Sequence, residues 1–177
     1  MVDAASRQRD VVTLSHHKLS VEEAVAAVTA PCCGAVSLFI GVNRDSFEAR
    51  RVVRLEYEAY ESMAITEMRK VCAAMRHQWP AVEYIAVAHR LGFCGAVEEA
   101  SVVIAVSSPN RRDSLDAVSY CIDSLKATVL CLDVQEVYDT DEYSWRENKE
   151  CTWAEKQEKH ECGTNVRDSE DAVDTSS

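Results

Sequence analysis

The segment Ser107–Lys126, SSPNRRDSLDAVSYCIDSLK, joins the end of an apolar run to a helical pattern through a turn that carries adjacent arginines. The preceding Val102-Val103-Ile104-Ala105-Val106 is short and largely β-branched, which suits a covered strand. After the turn, Leu115, Val118, Ile122, Leu125 and Val129 recur at helical spacing and predict one buried stripe. Lys126 follows Ile122 by four residues, at the edge of that stripe rather than on the polar face. A lysine partly desolvated in such a place is a usable amine. Arg111 and Arg112 stand where the helix begins, so backbone N–H groups and guanidinium forks together suit an anion. A solvated turn with a snorkelling lysine fits the same residues, so the rest of the chain must decide between the two.

A chain of 177 residues, 47 % of them hydrophobic, is long enough for one domain with an ordinary core. No apolar run approaches the ~20 residues that span a bilayer. The opening MVDAASRQRD lacks the apolar centre of a signal peptide, and a cytosolic protein is expected. The net charge of −11 disfavours nucleic acid, whose phosphates need a basic footprint. An anionic small molecule can bind only where local arginines and lysines overcome that field.

Eight cysteines are present, but Cys32 and Cys33 are adjacent and Cys72, Cys94, Cys121, Cys131, Cys151 and Cys162 are scattered without a C-x-x-C pair. No set of four zinc ligands is visible, and free thiols are expected. Cys72 and Cys121 fall within or beside apolar stripes, where cysteine behaves as a small hydrophobe. His16-His17 is read at a strand end, with rings to opposite faces. Residues 1–10 are expected to be flexible. Residues 154–177 hold seven acids against three bases without periodicity, and an acidic disordered tail is expected there.

Between these ends the pattern alternates. Val11–Leu14 predicts a strand. Ser20, with Glu23 three residues on, caps a short helix whose face is Val21, Ala24, Val25 and Val28 and which stops before Pro31. Strands follow at Ala35–Val42 and Val53–Ala59, the second by strict alternation. Ala64, Met68, Val71, Cys72, Met75 and Trp79 predict a long helix from Ser62 to Trp79 that Pro80 ends. Val82–His89, Ser101–Val106 and a stretch around Val134–Tyr138 complete the set of strands. The order lacks strict β–α alternation, so an α+β fold is expected, with helices packed on a mainly antiparallel sheet.

Several segments, in order, resemble the large, catalytic subunit of molybdopterin synthase. They are Gly41-Val42-Asn43-Arg44-Asp45, Leu55-Glu56-Tyr57-Glu58-Ala59-Tyr60, His89-Arg90-Leu91-Gly92, the Ser107–Lys126 run, and Trp145 with Glu147-Asn148-Lys149-Glu150-Cys151. The likeness covers about residues 11–153 and implies the same fold. It also implies sulfur transfer onto cyclic pyranopterin monophosphate from the thiocarboxylated Gly-Gly C-terminus of a small ubiquitin-like subunit. No metal and no organic cofactor is implied. Arg44 and Arg111 would clamp the phosphate. Asn110 stands where many members carry histidine, and it donates hydrogen bonds without shuttling protons. Lys126 matches the first active-site lysine and is the expected catalytic residue as well as a substrate contact. Arg112 is read as either a further contact or a first-turn surface charge.

Fifteen positions separate Arg111 from Lys126, about 22 Å if the span is helical at ~1.5 Å per residue. Either the two serve different sites or the pocket lies across a two-fold interface, one residue from each protomer. The second option predicts a dimer, within a two-plus-two heterotetramer with the small subunit.

One stretch departs from the family. Where members continue K-x-x-V-P-I-W-K-K-E-x-Y, this chain reads Lys126-Ala127-Thr128-Val129-Leu130-Cys131-Leu132-Asp133-Val134-Gln135-Glu136-Val137-Tyr138. The proline, the tryptophan and both lysines are absent, and the pattern resumes at Glu136, which keeps its place among the substrate-binding residues. Genuine divergence and a misjoined exon both account for the break across Leu130–Gln135. Loss of the second lysine predicts weak turnover, with a subunit that docks its partner without efficient catalysis as the alternative function.

Overall fold

A computed structural model describes residues 9–44, 46–47, 50–94, 99–128, 133–138 and 143–146. Four strands form one sheet in the order β1-β5-β7-β2, from β1 (Arg9–Ser15), β2 (Ala35–Val42), β5 (Tyr84–Arg90) and β7 (Ala100–Ser108). β1 and β5 are parallel, and the other pairings in this sheet are antiparallel. A second sheet holds β3 (Ser46–Phe47), β4 (Arg50–Glu58), β8 (Asp133–Tyr138) and β9 (Tyr143–Arg146), with β6 (Gly92–Cys94) also paired to β4. The expected α+β class holds, but the strands divide between two sheets rather than one. β3, β6 and β9 were not expected. Strand β1 begins at Arg9, and Asp10 pairs with Arg76. Residues 1–8 and 154–177, Val129 and the first half of the divergent stretch, residues 130–132, lie outside the described residues.

The three helices form where the periodicity places them. Helix α1 (Val21–Val28) starts at Ser20, whose Oγ accepts from the Glu23 N–H at 3.1 Å. Its Ala24 and Val28 pack with Ala86, Val103 and Ala105 on one face of the first sheet. Helix α2 (Glu61–Gln78) and helix α3 (Arg111–Thr128) cover the other face. There Met68, Met75, Ile85 and Ile104 are at most 1 % exposed, and each such side chain contributes roughly 1.5–3 kcal/mol of burial. Trp79 and Tyr120 meet edge to face at 5.4 Å where α2 and α3 touch.

Two readings need correction. Leu115 is 57 % exposed, not part of a buried stripe. The face of α3 turned to the sheet is Ser114, Ala117, Val118, Cys121 and Leu125, so the buried strip is displaced toward smaller residues. His16 and His17 lie in a bend beyond the end of β1, so strand alternation does not orient their rings. His16 Nε2 instead approaches Glu61 Oε1 at 3.4 Å.

β2 is an edge strand. Its Val36, Leu38, Ile40 and Val42 share one face and are each 38–53 % exposed. Across β7 this row is level with Ser107, Ala105, Val103 and Ala100, the side on which α1 packs. Helix α1 covers β5 and β7 and leaves the β2 row open.

Candidate functional site

The turn between β7 and α3 is held from within. Ser107 and Ser108 are fully buried at the end of β7, and the Ser108 hydroxyl donates to the Asn110 carbonyl at 2.6 Å. One turn into α3, Ser114 Oγ donates to the Arg111 carbonyl at 3.1 Å and lies 2.8 Å from Ser37 Oγ of β2. The turn therefore presents Asn110, Arg111 and Arg112 outward from a fixed base, and all three are exposed. With Leu115 and Asp116 they line an open cleft of about 370 Å³. Arg112 is paired with Asp116 at 3.8 Å, a largely exposed contact of little energetic weight. Arg111 has no ion pair among the described residues, and it lines the cleft at the N-terminal end of α3.

Strand registers locate the other candidates. Ala35 of β2 lies opposite Ser108, and Val42 lies opposite Ala100, so β2 ends at the far end of β7 from the Asn110 turn. Arg44 follows directly and is exposed. Helix α3 leaves β7 through a two-residue turn and runs back along the sheet against β7 and β2. Lys126, in its last turn, therefore finishes at the Arg44 end. The structure thus groups Arg44 with Lys126 at one end of the sheet and Asn110 with Arg111 at the other. Residues 111–128 are helical throughout, which makes the ~22 Å separation of Arg111 from Lys126 real. Lys126 is exposed in this chain alone, so the desolvation expected for it is not provided by its own subunit. Glu136 lies in β8 opposite Leu55 of β4.

A buried polar group that motif reading did not single out stands at the Arg44 end. Asn43, 6 % exposed, accepts from the Tyr57 hydroxyl at 3.4 Å, and its Nδ2 has no hydrogen-bond partner among the described residues. The Tyr57 ring meets His89 edge to face at 5.3 Å. His89 Nδ1 lies 2.7 Å from the Arg90 carbonyl, which fixes that nitrogen as the N–H. Burial pushes the His89 pKa below its ordinary value, so the ring is held neutral. The signal in the sequence was only that Asn43, Tyr57 and His89 belong to three separate family-like motifs. Register brings them together. Among the described residues no cluster of three or more His, Cys, Asp or Glu could hold a metal, and no helix is long and apolar enough to cross a membrane.

An α+β fold with a guanidinium at one end of a helix and an amine with a second guanidinium at the other carries cationic groups whose chemistry suits small anions. The family model described as MoaE protein matches residues 14–128, and the chain belongs to the MoaE protein family. The molybdopterin synthase catalytic subunit of Taeniopygia guttata is 54 % identical over 154 residues, 87 % of this chain and 97 % of that relative. The crystal structure of molybdopterin synthase from Staphylococcus aureus has a TM-score of 0.69 at 27 % identity, covering 79 % of this chain and 96 % of that one. A chain in the complex of subunits 1 and 2 of molybdopterin-converting factor from Helicobacter pylori shares the fold, with a TM-score of 0.61 at 18 % identity over 78 % of this chain and 91 % of that one. The fold and family implied by the motifs both hold.

Proposed function

We propose that this chain is the catalytic subunit of molybdopterin synthase, moving sulfur from the thiocarboxylated C-terminus of a small ubiquitin-like subunit onto cyclic pyranopterin monophosphate. The observation that carries the reading is the division of charge along α3, with Arg111 beside an open cleft and Lys126 near Arg44 at the opposite end. Arg44 and Arg111 bind the phosphate, and Asn110 donates to phosphate or pterin. Lys126 contacts the thiocarboxylate and protonates the departing oxygen. Glu136 completes the substrate-binding set. The relative from Taeniopygia guttata carries the same activity in its name, and the Helicobacter pylori complex is of two subunits, as a separate sulfur donor requires.

Because no small substrate spans 22 Å, the working pocket is composite, with Arg111 from one protomer and Lys126 from its partner. A two-fold axis that packs two α3 helices antiparallel about their midpoint supplies this pairing. Pairing Arg111 with the partner's Lys126 also sets Leu115 against the partner's Ile122, since both pairs share one centre. The exposure of Leu115 in the single chain is what such an interface would cover. The assembly is two catalytic and two small subunits, working in the cytosol. Residues 11–153 form the catalytic unit, and the acidic tail 154–177 is accessory.

No lysine occurs between Lys126 and Lys149. The second amine of the family pattern is missing from its usual place, and turnover is slow for that reason.

The test is a mixture of purified chain, thiocarboxylated small subunit and cyclic pyranopterin monophosphate, with dithiolene formation followed by mass spectrometry. Slow product formation is expected. A stable complex that makes no product would replace this reading with a docking subunit, and failure to bind either partner would sink it.

A further inference from the structure

Cys32 and Cys33 occupy a tight turn at the Asn110 end of the first sheet. The Cys33 N–H donates to the Ala30 carbonyl at 3.0 Å, closing a turn in which Pro31 and Cys32 are the central residues. Proline fixes the first of those positions, so the pair is held by covalent geometry as well as by packing. The two Sγ atoms lie 3.9 Å apart on the same side of the turn. Cys32 is exposed, whereas Cys33 is half-buried and directs its thiol at Ser107 Oγ, 3.4 Å away. Gly34 then passes so close to the Pro109 carbonyl that a Cβ would lie 2.6 Å from its oxygen. The pair therefore sits on a braced turn. The buried Cys72 and Cys121 offer nothing comparable, since both are 0 % exposed and no reagent reaches either sulfur; burial raises the Cys33 thiol pKa as it raises theirs, so the reaction must begin at the exposed Cys32.

We propose that Cys32 and Cys33 form a reversible dithiol site for small thiol-seeking reagents, namely low-molecular-weight disulfides and trivalent arsenicals. Cys32 is the attacking sulfur because it is the accessible one. Its thiolate attacks one sulfur of the small disulfide, forming a mixed disulfide and releasing one small thiolate. Cys33 then gives up its proton, and its sulfur attacks Cys32 Sγ, releasing the second small thiolate. The two cysteine sulfurs are oxidised to one disulfide, the reagent is reduced to two thiols, and the two cysteine protons end on those thiols. Adjacent Cα atoms lie about 3.8 Å apart, below the usual disulfide range of about 4.4–6.8 Å, so the ring is strained and easily reduced again. With a monosubstituted arsenical no electrons move. Both sulfurs bond to arsenic, and the oxygen on arsenic leaves as water with the two thiol protons.

Trypsin releases Leu19–Arg44 as one peptide, and Cys32 and Cys33 are its only cysteines, so the site can be read in isolation. The full chain is treated with glutathione disulfide, free thiols are alkylated, and this peptide is weighed before and after dithiothreitol. The expected result is loss of two hydrogens with no glutathione and no alkyl group attached, reversed by dithiothreitol. Cys33→Ser should stop at a glutathione adduct on Cys32. Phenylarsine oxide should protect both thiols of the wild-type peptide from alkylation and protect neither single variant. Two freely alkylated thiols, a persistent glutathione adduct on the wild type, or a cross-link to another peptide would each overturn the assignment. Cys32 is at the surface, so Cys32→Ser keeps the fold and the arsenical test stands even if Cys33→Ser does not fold.

Discussion

Ser37 Oγ and Ser114 Oγ lie 2.8 Å apart in the core, tying the edge strand β2 to the first turn of α3. Ser114 spends its own hydrogen on the Arg111 carbonyl, so the shared bond must be donated by Ser37. The direction of that relay separates two substitutions. Ser114→Ala strands the Ser37 hydroxyl in an apolar setting and should cost about 1–3 kcal/mol in urea unfolding. Ser37→Ala leaves Ser114 still donating to Arg111, and its cost should be visibly smaller. Equal losses would contradict the relay.

Variants Arg111→Ala and Lys126→Ala should each abolish turnover in isolation, yet their mixture should recover. With random exchange of protomers, half the dimers pair one variant with the other, and each of these holds one intact site. Recovery of roughly a quarter of wild-type activity is expected. No recovery after verified exchange would place both residues in one subunit's site or in none.

Leu115→Asp puts a charge on the face that the partner helix would cover. Sedimentation equilibrium should show weakened self-association by about 2 kcal/mol, roughly 30-fold in Kd, with unfolding stability of the separated chain nearly unchanged. An unaltered dimer would move the interface away from α3.

His89 gives the fold a dependence on pH with a definite sign. Its folded pKa is depressed by burial, so the unfolded chain binds the extra proton first as pH falls. The stability from the neutral ring is fully present above about 6.5, the unperturbed histidine value, and is lost as pH drops from there to the lower folded value. Replacing His89 with Gln should remove that slope from urea midpoints measured between pH 5 and 8.

Gly34→Ala should destabilise by about 1–3 kcal/mol, since its Cβ would stand 2.6 Å from a backbone oxygen that cannot swing aside. Gly41→Ala should cost a similar amount, since its Cβ would stand 2.6 Å from Cγ1 of the buried Val102, a β-branched side chain with little rotamer freedom.

The three helices and the strands of the first sheet were legible because each carries its own period or cap. Ser20 with Glu23 marked the start of α1, and the β-branched run Val102–Val106 marked β7; in the second sheet, alternation through Arg54, Glu56 and Glu58 marked β4. The rotation of α3 was not legible. A pattern reading gives the core to Leu115 along with Val118, Ile122 and Leu125, and of these four only Leu115 fails; small residues let a helix approach a sheet closely, and Ser114 can be buried because Ser37 satisfies it. β4 and β8 were legible as strands, but their gathering into a second sheet was hidden for another reason. β4 pairs with β8 across some eighty residues of chain, and β3, β6 and β9 are too short to show any period. Arg44, Asn110, Arg111 and Lys126 were legible as chemistry, while their sorting to two ends of one sheet came only from register.

The greasy row along β2 bears on how such a protein must be made. A bordering strand with one water-facing apolar side offers any passing chain both backbone groups to pair with and a surface to stick to. Synthesised without companions, this polypeptide should clump and be cleared. Its cellular abundance, and its yield in a host cell, should therefore rise with any chain that covers that row.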